Sequence, residues 1–469
     1  MKRRAEVLGA AALLLACVLA YGAALRSAFQ FDDWNVIVNY TPVHSLRAWF
    51  DALPSIRPLL KLSYTLNHLI DPGPTGFRLV NDLLHLANTA LVFWVFDRLG
   101  QGYAGTRDTP DAAMRDRMRS AAFFAAIVFA LHPVQTEAVT YVSGRSTSLC
   151  AFFILISLAT WLAARIDASR RWLAWLSLLA FALALLCKEY AVVLPLALCL
   201  CLRMIVPDLR RPQVWRATRA HWLIALAAIA LACALPRYRD LLATSLDART
   251  PWAALLTQGR AIVYLAGQLL RVDRLNADPD LPVITTADPI SVLVLTGWAA
   301  LLILGLAAWR RQHAAGFALL WFLLWLAPTN SVLPRLDVAN DRQLYLALIG
   351  PAWALGLWLA QVLACRARHT VLALVMSVLA ALTFARNRVY ADEIAFWEDV
   401  IIHSPNMARA HNNLGYAYAR ACRLDTARMH FVQALRLDPN EMQAGVNLAL
   451  LRNGNLPGVP PDCAVPTRR

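Results

Sequence analysis

The stretch "VLGAAALLLACVLAYGAAL" (residues 7–25) is the first of many apolar runs in the chain, and such runs decide the class of fold. It is about as long as the roughly 20 apolar residues that a helix needs to cross a bilayer. The chain of 469 residues is 59% hydrophobic and only 16% charged, whereas soluble domains carry about 25% charged residues. The sequence therefore predicts an integral membrane protein made of helices.

Apolar runs recur up to about residue 386, and they predict an all-α polytopic protein with about eleven transmembrane helices. The predicted spans lie near residues 5–25, 81–98, 120–132, 148–165, 172–187, 190–206, 221–236, 290–309, 315–328, 344–364 and 370–386. Residues 252–271 are also apolar. We predict that they lie in the outer interface with Arg260 and Arg271 as a polar edge, because a span there would invert the later loops.

The net charge of +15 comes from arginine clusters in short loops. Positive residues stay on the cytoplasmic side of a membrane, so the clusters place the N-terminus inside and the C-terminus outside. This placement argues against a nucleic-acid-binding protein. Lys2, Arg3 and Arg4 before the first run resemble the start of a signal peptide. The run is long and lacks a small-x-small cleavage site, so we predict an uncleaved signal anchor.

The nine cysteines do not predict a disulfide framework or a metal site. Most of them lie inside apolar runs, and their spacing matches no set of metal ligands. We interpret these cysteines as small core residues.

The predicted topology brings five polar stretches to the outer side. They are "FQFDDWNVIVNY" (29–40), "RPLLKLSYTLNHL" (57–69), "HPVQTEAVTYVSGR" (132–145), "CKEY" (187–190) and "LPRLDVANDRQLY" (333–345). Ionisable residues at membrane depth are costly and usually mark a functional site. We expect these stretches to converge on one outward-facing cavity.

Each stretch also has a simpler structural interpretation. Asp32 and Asp33 are suited to capping a following helix, and His132 before Pro133 suits a helix end. Other pairs suit plain ion pairs: Glu137 with Arg145, and Lys188 with Glu189. Arg57 and the Asp341-Arg342 pair suit either positive clamps or loop-fixing salt bridges. Lys188 stands out because it is one of only three lysines in a chain rich in arginine.

The last eighty or so residues read as soluble and carry a repeat. "ARAHNNLGYAYARACRLDTARMHFVQALRLDPN" from Ala408 has the small and large packing residues of a tetratricopeptide unit, whose period is about 34 residues. One full repeat between two half repeats is predicted, and Cys422 stands where the turn usually has Gly. We predict a membrane domain at 1–386, a tetratricopeptide domain at 387–456 and a flexible tail at 457–469.

Taken in order, the motifs resemble one known family. "FDDWNVIVNY", "RPLLKLSYTLNHL", "GFRLVNDLLHLANTALVF", "ALHPVQTEAVTYVSGRSTSLCAFF", "KEYAVVLPLAL", "NDRQLYLALIGP" and the repeat tail are similar to the transmembrane and tetratricopeptide repeat-containing O-mannosyltransferases and their bacterial relatives. These enzymes have the GT-C glycosyltransferase fold. The tail here has fewer repeats than in eukaryotic members, and "NDRQLY" stands where the family more often has an acidic-Arg-Tyr triplet.

The resemblance implies an inverting glycosyltransferase that moves a sugar from a polyprenyl phosphate to an acceptor hydroxyl, expected to be a protein Ser or Thr. Asp32 or Asp33 matches the base. Lys188 and Arg57 are the first candidates for the cations that bind the donor phosphate, and Arg145 and Arg342 are the next. His132, Glu137 and Glu189 suit orienting roles. No cofactor is expected, and a divalent metal is possible but not required.

Three other functions are alternatives to a protein glycosyltransferase. A non-catalytic scaffold would use the tail to recruit envelope or pilus assembly partners. A transporter would show mid-span polar residues and paired repeats, which the sequence lacks. A related enzyme could modify a glycolipid or polysaccharide. The expected location is a bacterial inner membrane, with the active site and the tail in the periplasm.

Overall fold

The computed structural model describes residues 2–106, 111–206, 210–332, 335, 337–460 and 462–463, without the side chains of residues 2–6 and 168. Within these ranges the chain is all-α and contains no β-strand. The all-α prediction is therefore confirmed. Three residues of the "LPRLDVANDRQLY" stretch (333, 334 and 336) and residues 461 and 464–469 of the predicted flexible tail lie outside the described residues.

Twenty-one α-helices are found in the described chain. The first are α1 (Lys2–Gly22), α2 (Leu46–Asp51), α3 (Pro58–Ile70), α4 (Pro74–Gly105), α5 (Ala112–Leu131), α6 (Thr136–Val139) and α7 (Arg145–Ile166). Then come α8 (Leu173–Leu185), α9 (Leu194–Ile205), α10 (Arg211–Ala234), α11 (Pro236–Ala248), α12 (Pro251–Gln268), α13 (Pro289–Arg310) and α14 (Ala314–Leu326). The last are α15 (Leu344–Ala347), α16 (Ile349–Val362), α17 (Cys365–Asn387), α18 (Glu393–His403), α19 (Ala408–Arg420), α20 (Leu424–Leu437) and α21 (Met442–Arg452).

Six described helical segments are long and apolar enough to cross a membrane: Val7–Arg26, Pro74–Gly105, Val142–Ile166, Arg211–Ala234, Pro289–Arg310 and Cys365–Tyr390. Two bent pairs raise this number to 8, one broken by 53° after α5 and one by 52° before α16. A polytopic membrane protein is thus confirmed. The other predicted spans coincide with α8, α9 and α14, which have only 13, 12 and 13 residues, so the total of about eleven rests on short helices.

Loops that the topology predicts on the same side of the membrane contact one another. On the side predicted as cytoplasmic, Arg203 donates to the carbonyl of Arg310, and Arg368 pairs with Asp116. On the opposite side, the stretches around residues 33, 143, 188 and 342 contact one another, as described below. Helix α12 packs against α13, and its Arg260 donates to the Asp288 carboxylate at 2.5 Å. Arg260 therefore serves as a helix-to-helix tie.

Asp33 fastens the first outer connection to the core. Its carboxylate is fully buried and accepts the backbone N–H of Ser143 at 2.8 Å, the Ser143 hydroxyl at 2.6 Å and the N–H of Gln30 at 3.1 Å. It makes no capping bond to the helical turn that follows at Trp34–Val38, so the interpretation of Asp33 as a helix cap is wrong. A buried carboxylate needs such partners to be tolerated.

The tail folds as the predicted tetratricopeptide unit. Helices α19 and α20 form the full repeat, and α18 and α21 are the flanking half repeats. Gly415 allows the two helices of the repeat to approach closely, because a Cβ atom there would lie 2.9 Å from the Phe431 ring. Cys422 adopts the left-handed backbone (φ 59°) expected of the Gly position in the turn.

Cys422 also forms a disulfide with Cys463. The sequence analysis did not predict this bond, because neither cysteine lies in a recognisable spacing pattern and their separation of 41 residues hides the contact. The disulfide ties the segment after α21 back to the turn between α19 and α20.

The tail packs directly on the outer connections. Arg409 of α19 donates to both oxygens of Asp278 at 2.6 and 3.0 Å and to Asp337 at 3.2 Å. Next to the Asp-Asp pair, Trp34 donates to Glu393 at 2.6 Å, and Glu393 in turn accepts from Arg420 at 2.9 Å. The repeat unit is thus held against the loops that carry the predicted site.

We expect Asp33 to make the stability of the protein depend on pH. Burial raises the pKa of Asp33 from 3.8 to about 6, although hydrogen bonds from Ser143 and Gln30 oppose the shift. The folded chain then binds this proton more tightly than the unfolded chain. The resulting stabilisation is present at low pH and is lost as the pH rises from about 4 to about 6. Two pKa units correspond to about 3 kcal/mol.

Thermal unfolding in detergent across this pH range measures the effect. Relative to Asp33→Asn, the wild type should lose about 3 kcal/mol of unfolding free energy between pH 4 and pH 7. Asp51→Asn, which changes a carboxylate that is 66% exposed, is the matched control. A difference between wild type and Asp33→Asn that stays constant with pH would show that Asp33 is not held in this way.

A second prediction concerns the contact between the tail and the membrane domain. Arg409→Met removes both ion pairs and leaves the mostly buried Asp278 carboxylate uncompensated. Because Arg409 is 40% exposed, we expect a modest loss of roughly 1–3 kcal/mol. It should appear as faster proteolysis within α18–α21 and a lower Tm. Arg428→Met, at an exposed arginine of the same repeat, is the control; equal proteolysis of the two variants would contradict the prediction.

Candidate active site

Two neighbouring cavities lie where the outer connections meet. The first, here called the cationic cavity, has a volume of about 360 Å³ and is lined by Thr147, Lys188, Tyr190, Trp325, Thr329, Arg335, Asn340, Arg342, Gln343, Tyr345 and Leu346. The second, the acidic cavity, has a volume of about 350 Å³ and is lined by Phe31, Glu137, Tyr141, Ala277, Asp278, Asp337, Ala339, Asn340, Arg342, Tyr390 and Phe396. Asn340 and Arg342 belong to both walls.

Lys188 is one of the residues that line the cationic cavity. It follows the short helix α8, and the extended backbone at Lys188 (φ −162°, ψ 139°) starts the next helical turn. Its ammonium group donates to the Thr147 hydroxyl at 2.7 Å and lies 5.5 Å from the centre of the Tyr190 ring. No carboxylate lies within ion-pair distance of Lys188 in the described part of the chain. The predicted Lys188–Glu189 ion pair is therefore wrong.

Three arginines surround Lys188 closely enough to change its acidity. Burial lowers the pKa of Lys188 well below its ordinary value. The positive charges of Arg342, Arg57 and Arg335 lower the pKa of Lys188 further. Lys188, Arg335 and Arg342 line the cationic cavity, and Arg57 lies close enough to act on Lys188. These positive charges repel one another, and a bound anion would relieve that repulsion.

Arg57 and Glu189 form the edge of this cation group. Arg57, in left-handed backbone (φ 54°) at the start of α3, donates to both Glu189 oxygens at 2.7 to 3.1 Å. Burial opposes ionisation of Glu189, but the Arg57 charge wins and the pKa of Glu189 falls below its ordinary value. The predicted donor-binding Arg57 is thus partly neutralised by the predicted orienting residue Glu189.

Arg335 is a cation of the site that the sequence analysis passed over. It lies within a quoted motif, but a loop residue without periodicity gives no signal that separates it from other surface arginines. Burial, together with the charges of Arg342 and Arg57, lowers the pKa of Arg335 to about 10, although Asp337 opposes this shift. Its Nη1 atom is buried without a hydrogen-bond partner in the described chain.

Arg342 and Glu137 separate the two cavities. The Arg342 guanidinium lies 3.5 Å from one Glu137 oxygen, and the backbone N–H of Arg342 donates to the other at 3.0 Å. Glu137 therefore does not pair with Arg145, as the simpler interpretation had it. Arg342 also lies over the Tyr141 ring at 5.8 Å, so its side chain is fixed from two sides.

Asp32 differs sharply from its neighbour Asp33. Its backbone N–H donates to the Tyr141 hydroxyl at 2.9 Å, while its carboxylate is half-buried and has no hydrogen-bond partner among the described residues. The carboxylate interacts electrostatically with Arg342, Tyr141 and Asp278, all of which line the acidic cavity. Of the two predicted catalytic carboxylates, Asp32 is the one available to a ligand, and Asp33 is committed to the loop anchor.

Two other predicted residues lie away from the cavities. Arg145 is fully buried, and it donates to Asn81, Asn67 and the carbonyls of Ser63 and Phe77. As placed, its guanidinium ties α3, α4 and α7 together.

His132 sits at the break between α5 and α6. Its Nδ1 accepts the N–H of Val134, and its Nε2 lies 3.1 Å from the carbonyl of Leu269. These contacts match the helix-end interpretation. The roles predicted for His132 and Arg145 in ligand binding stay predictions.

The described residues contain no group of three or more His, Cys, Asp or Glu side chains arranged to hold a metal ion. The acidic cavity contains Asp278 and Asp337, but both pair with Arg409. The expectation that the reaction needs no metal stays a prediction.

The chain has several relatives among characterised proteins. It is 34% identical over 188 residues to protein O-mannosyl-transferase TMTC4 of Homo sapiens, covering 35% of this chain and 25% of the relative. It is 35% identical over 206 residues to Tmtc2 of Drosophila melanogaster, covering 38% and 20%. The match to Tmtc3 of Drosophila melanogaster runs over 520 aligned residues at 24% identity and covers 93% of this chain.

The chain spans at most about half of the length of these relatives, and the Tmtc3 match covers 56% of that protein. No protein-family model matches the chain. No solved structure matches it either. The ordered motifs, the all-α membrane architecture and the repeat tail agree with the relatives found. The chain is therefore similar, over 93% of its length in the Tmtc3 match, to the transmembrane and tetratricopeptide repeat-containing protein O-mannosyltransferases.

Proposed function

We propose that this protein is an inverting glycosyltransferase that moves a sugar from a polyprenyl phosphate to a protein Ser or Thr hydroxyl. The reaction takes place on the external face, in the periplasm if the membrane is a bacterial inner membrane. The observation that carries the proposal is the group of half-buried cations around Lys188, together with the Asp32 carboxylate, which has no hydrogen-bond partner among the described residues. The relatives named as protein O-mannosyl-transferases support transfer of a hexose to protein.

The cationic cavity suits the phosphate of the donor. Lys188, Arg335 and Arg342 present N–H donors to one small volume, and cations in a dehydrated site attract a phosphate more strongly than they do in water. As the bond between the sugar and the phosphate breaks, negative charge grows on the leaving oxygen. Fixed cations at that point stabilise the transition state, and the loss of one such donor typically costs about 100- to 1,000-fold in rate.

Asp32 supplies the base on the opposite side of Arg342. The acceptor hydroxyl gives its proton to the Asp32 carboxylate while its oxygen attacks the anomeric carbon. The electron pair of the broken bond leaves with the lipid phosphate. Attack and departure on opposite faces of the sugar invert the anomeric centre. Lys188 lines the cationic cavity, whereas Asp32 directly follows Phe31, which lines the acidic cavity.

The rival function is a non-catalytic scaffold that uses the tail to recruit partners. The repeat unit buries part of its surface against the outer loops through Arg409, Glu393 and Trp397, which lies 5.2 Å from the Phe31 ring. These contacts favour a tail that supports the site. Acceptor recognition by the rest of the repeat is part of the proposal.

The proposal predicts that Asp32→Asn lowers transfer by at least about 100-fold, because the variant lacks the base. The assay uses membranes supplied with a labelled polyprenyl-phosphate hexose and periplasmic protein, at equal expression of each variant. The Tm should be nearly unchanged, since the Asp32 carboxylate has no hydrogen-bond partner in the described chain. Asp51→Asn, at an exposed carboxylate of the same outer connection, is the matched control. Full activity of Asp32→Asn would favour the scaffold.

A further inference from the structure

The wall shared by the two cavities contains polar atoms that no described residue satisfies. Both amide atoms of Asn340, Nδ2 and Oδ1, are buried without a hydrogen-bond partner, and so are Nε2 and Oε1 of Gln343. The Asn340 side chain is only 3% exposed. Both residues line the cationic cavity, and Asn340 also lines the acidic one.

Such a pair of amides is unusual in a packed interior. Buried polar side chains are nearly always hydrogen-bonded, and each exception asks for a reason. Replacing two amides by apolar residues would remove the cost of burying them unpaired. Their position in a cavity wall indicates that a ligand supplies the missing partners.

The chemistry of the amides identifies the kind of partner. Each amide offers two N–H donors and one carbonyl acceptor, so it suits groups that both donate and accept. A phosphate only accepts, and the cations Lys188, Arg335 and Arg342 already serve it. A sugar ring carries several hydroxyls that donate and accept. Tyr190 and Trp325 line the same wall and add apolar aromatic surface beside the amides.

We propose that Asn340 and Gln343 form the sugar-reading subsite of the donor cavity and hydrogen-bond the hydroxyls of the transferred hexose. This inference rests on the proposed function and deepens it, because it assigns sugar recognition to residues distinct from those that bind phosphate. Asn340, which lies in both walls, positions the sugar between the leaving phosphate and the acceptor. A site built to hydrogen-bond a hydroxyl rejects an analogue that lacks it.

The test compares two soluble short-chain ligands, a polyprenyl phosphate and its hexosyl ester, by equilibrium binding to the purified full chain. The ratio of their Kd values measures what the sugar adds. We expect the wild type to bind the hexosyl ester at least about 10-fold more tightly than the bare phosphate, as two or more buried hydrogen bonds provide. Asn340→Leu and Gln343→Met keep the size of each side chain and remove its polar atoms. Each should lower the ratio to roughly 3, and the double variant should bring it close to 1.

The bare polyprenyl phosphate is the internal control. Its Kd should change by less than about 3-fold in either amide variant, whereas Lys188→Met should weaken both ligands together and keep the ratio. If Asn340→Leu fails to fold, the half-buried Gln343→Met carries the test. A wild-type ratio that survives in the amide variants would overturn the sugar subsite alone. Failure of the wild type to bind either ligand would overturn the proposed function and the subsite together.

Discussion

The repulsion between half-buried cations is the constraint on which the loops around Lys188 and Arg342 depend. Lys188, Arg57, Arg335 and Arg342 lie near enough to shift one another's protonation. Glu189 neutralises Arg57 and Glu137 neutralises Arg342. Lys188 and Arg335 have no carboxylate within ion-pair distance in the described residues. The wall therefore keeps an excess of positive charge, which a bound anion would balance.

The carboxylates divide between holding this arrangement and acting in it. The Asp33 carboxylate accepts hydrogen bonds from Ser143 and Gln30, and these bonds hold the connection that follows α1 against the core. Asp32, one residue earlier, donates its backbone N–H to the Tyr141 hydroxyl, and its carboxylate has no hydrogen-bond partner among the described residues. The tail completes the frame, because Glu393 and Arg409 hold the same connections from the other side. The two adjacent acids therefore differ: Asp33 anchors the loop, and the Asp32 carboxylate is free of hydrogen bonds to the described residues.

The sequence predicted the fold class and the repeat tail, but it did not predict the roles of several residues in the site. Apolar run lengths and the 34-residue repeat pattern depend on local periodicity, and they predicted the all-α membrane architecture and the repeat tail. They did not predict that α8, α9 and α14 are only 12 or 13 residues long. The convergence of the outer motifs followed from topology. The division of roles between Asp32 and Asp33 did not, because it depends on which carboxylate meets Ser143, a residue 110 positions away from Asp33. Arg335, Asn340 and Gln343 lie in a connection without hydrophobic periodicity, so the sequence did not indicate their positions in the site. The Cys422–Cys463 disulfide joins segments far apart in the chain, so the sequence did not indicate it either.

The most direct measurement of the central claim is a cryo-EM structure of the full chain with a non-hydrolysable polyprenyl-phosphate hexose. We expect the phosphate to lie within about 3 Å of the Lys188 ammonium and the Arg342 guanidinium, at the distance of charge-assisted hydrogen bonds. We also expect the anomeric carbon on the side of Asp32. Density for the phosphate outside the cationic cavity would contradict this mechanism. So would a bound sugar that has Asp32 and the phosphate on the same side.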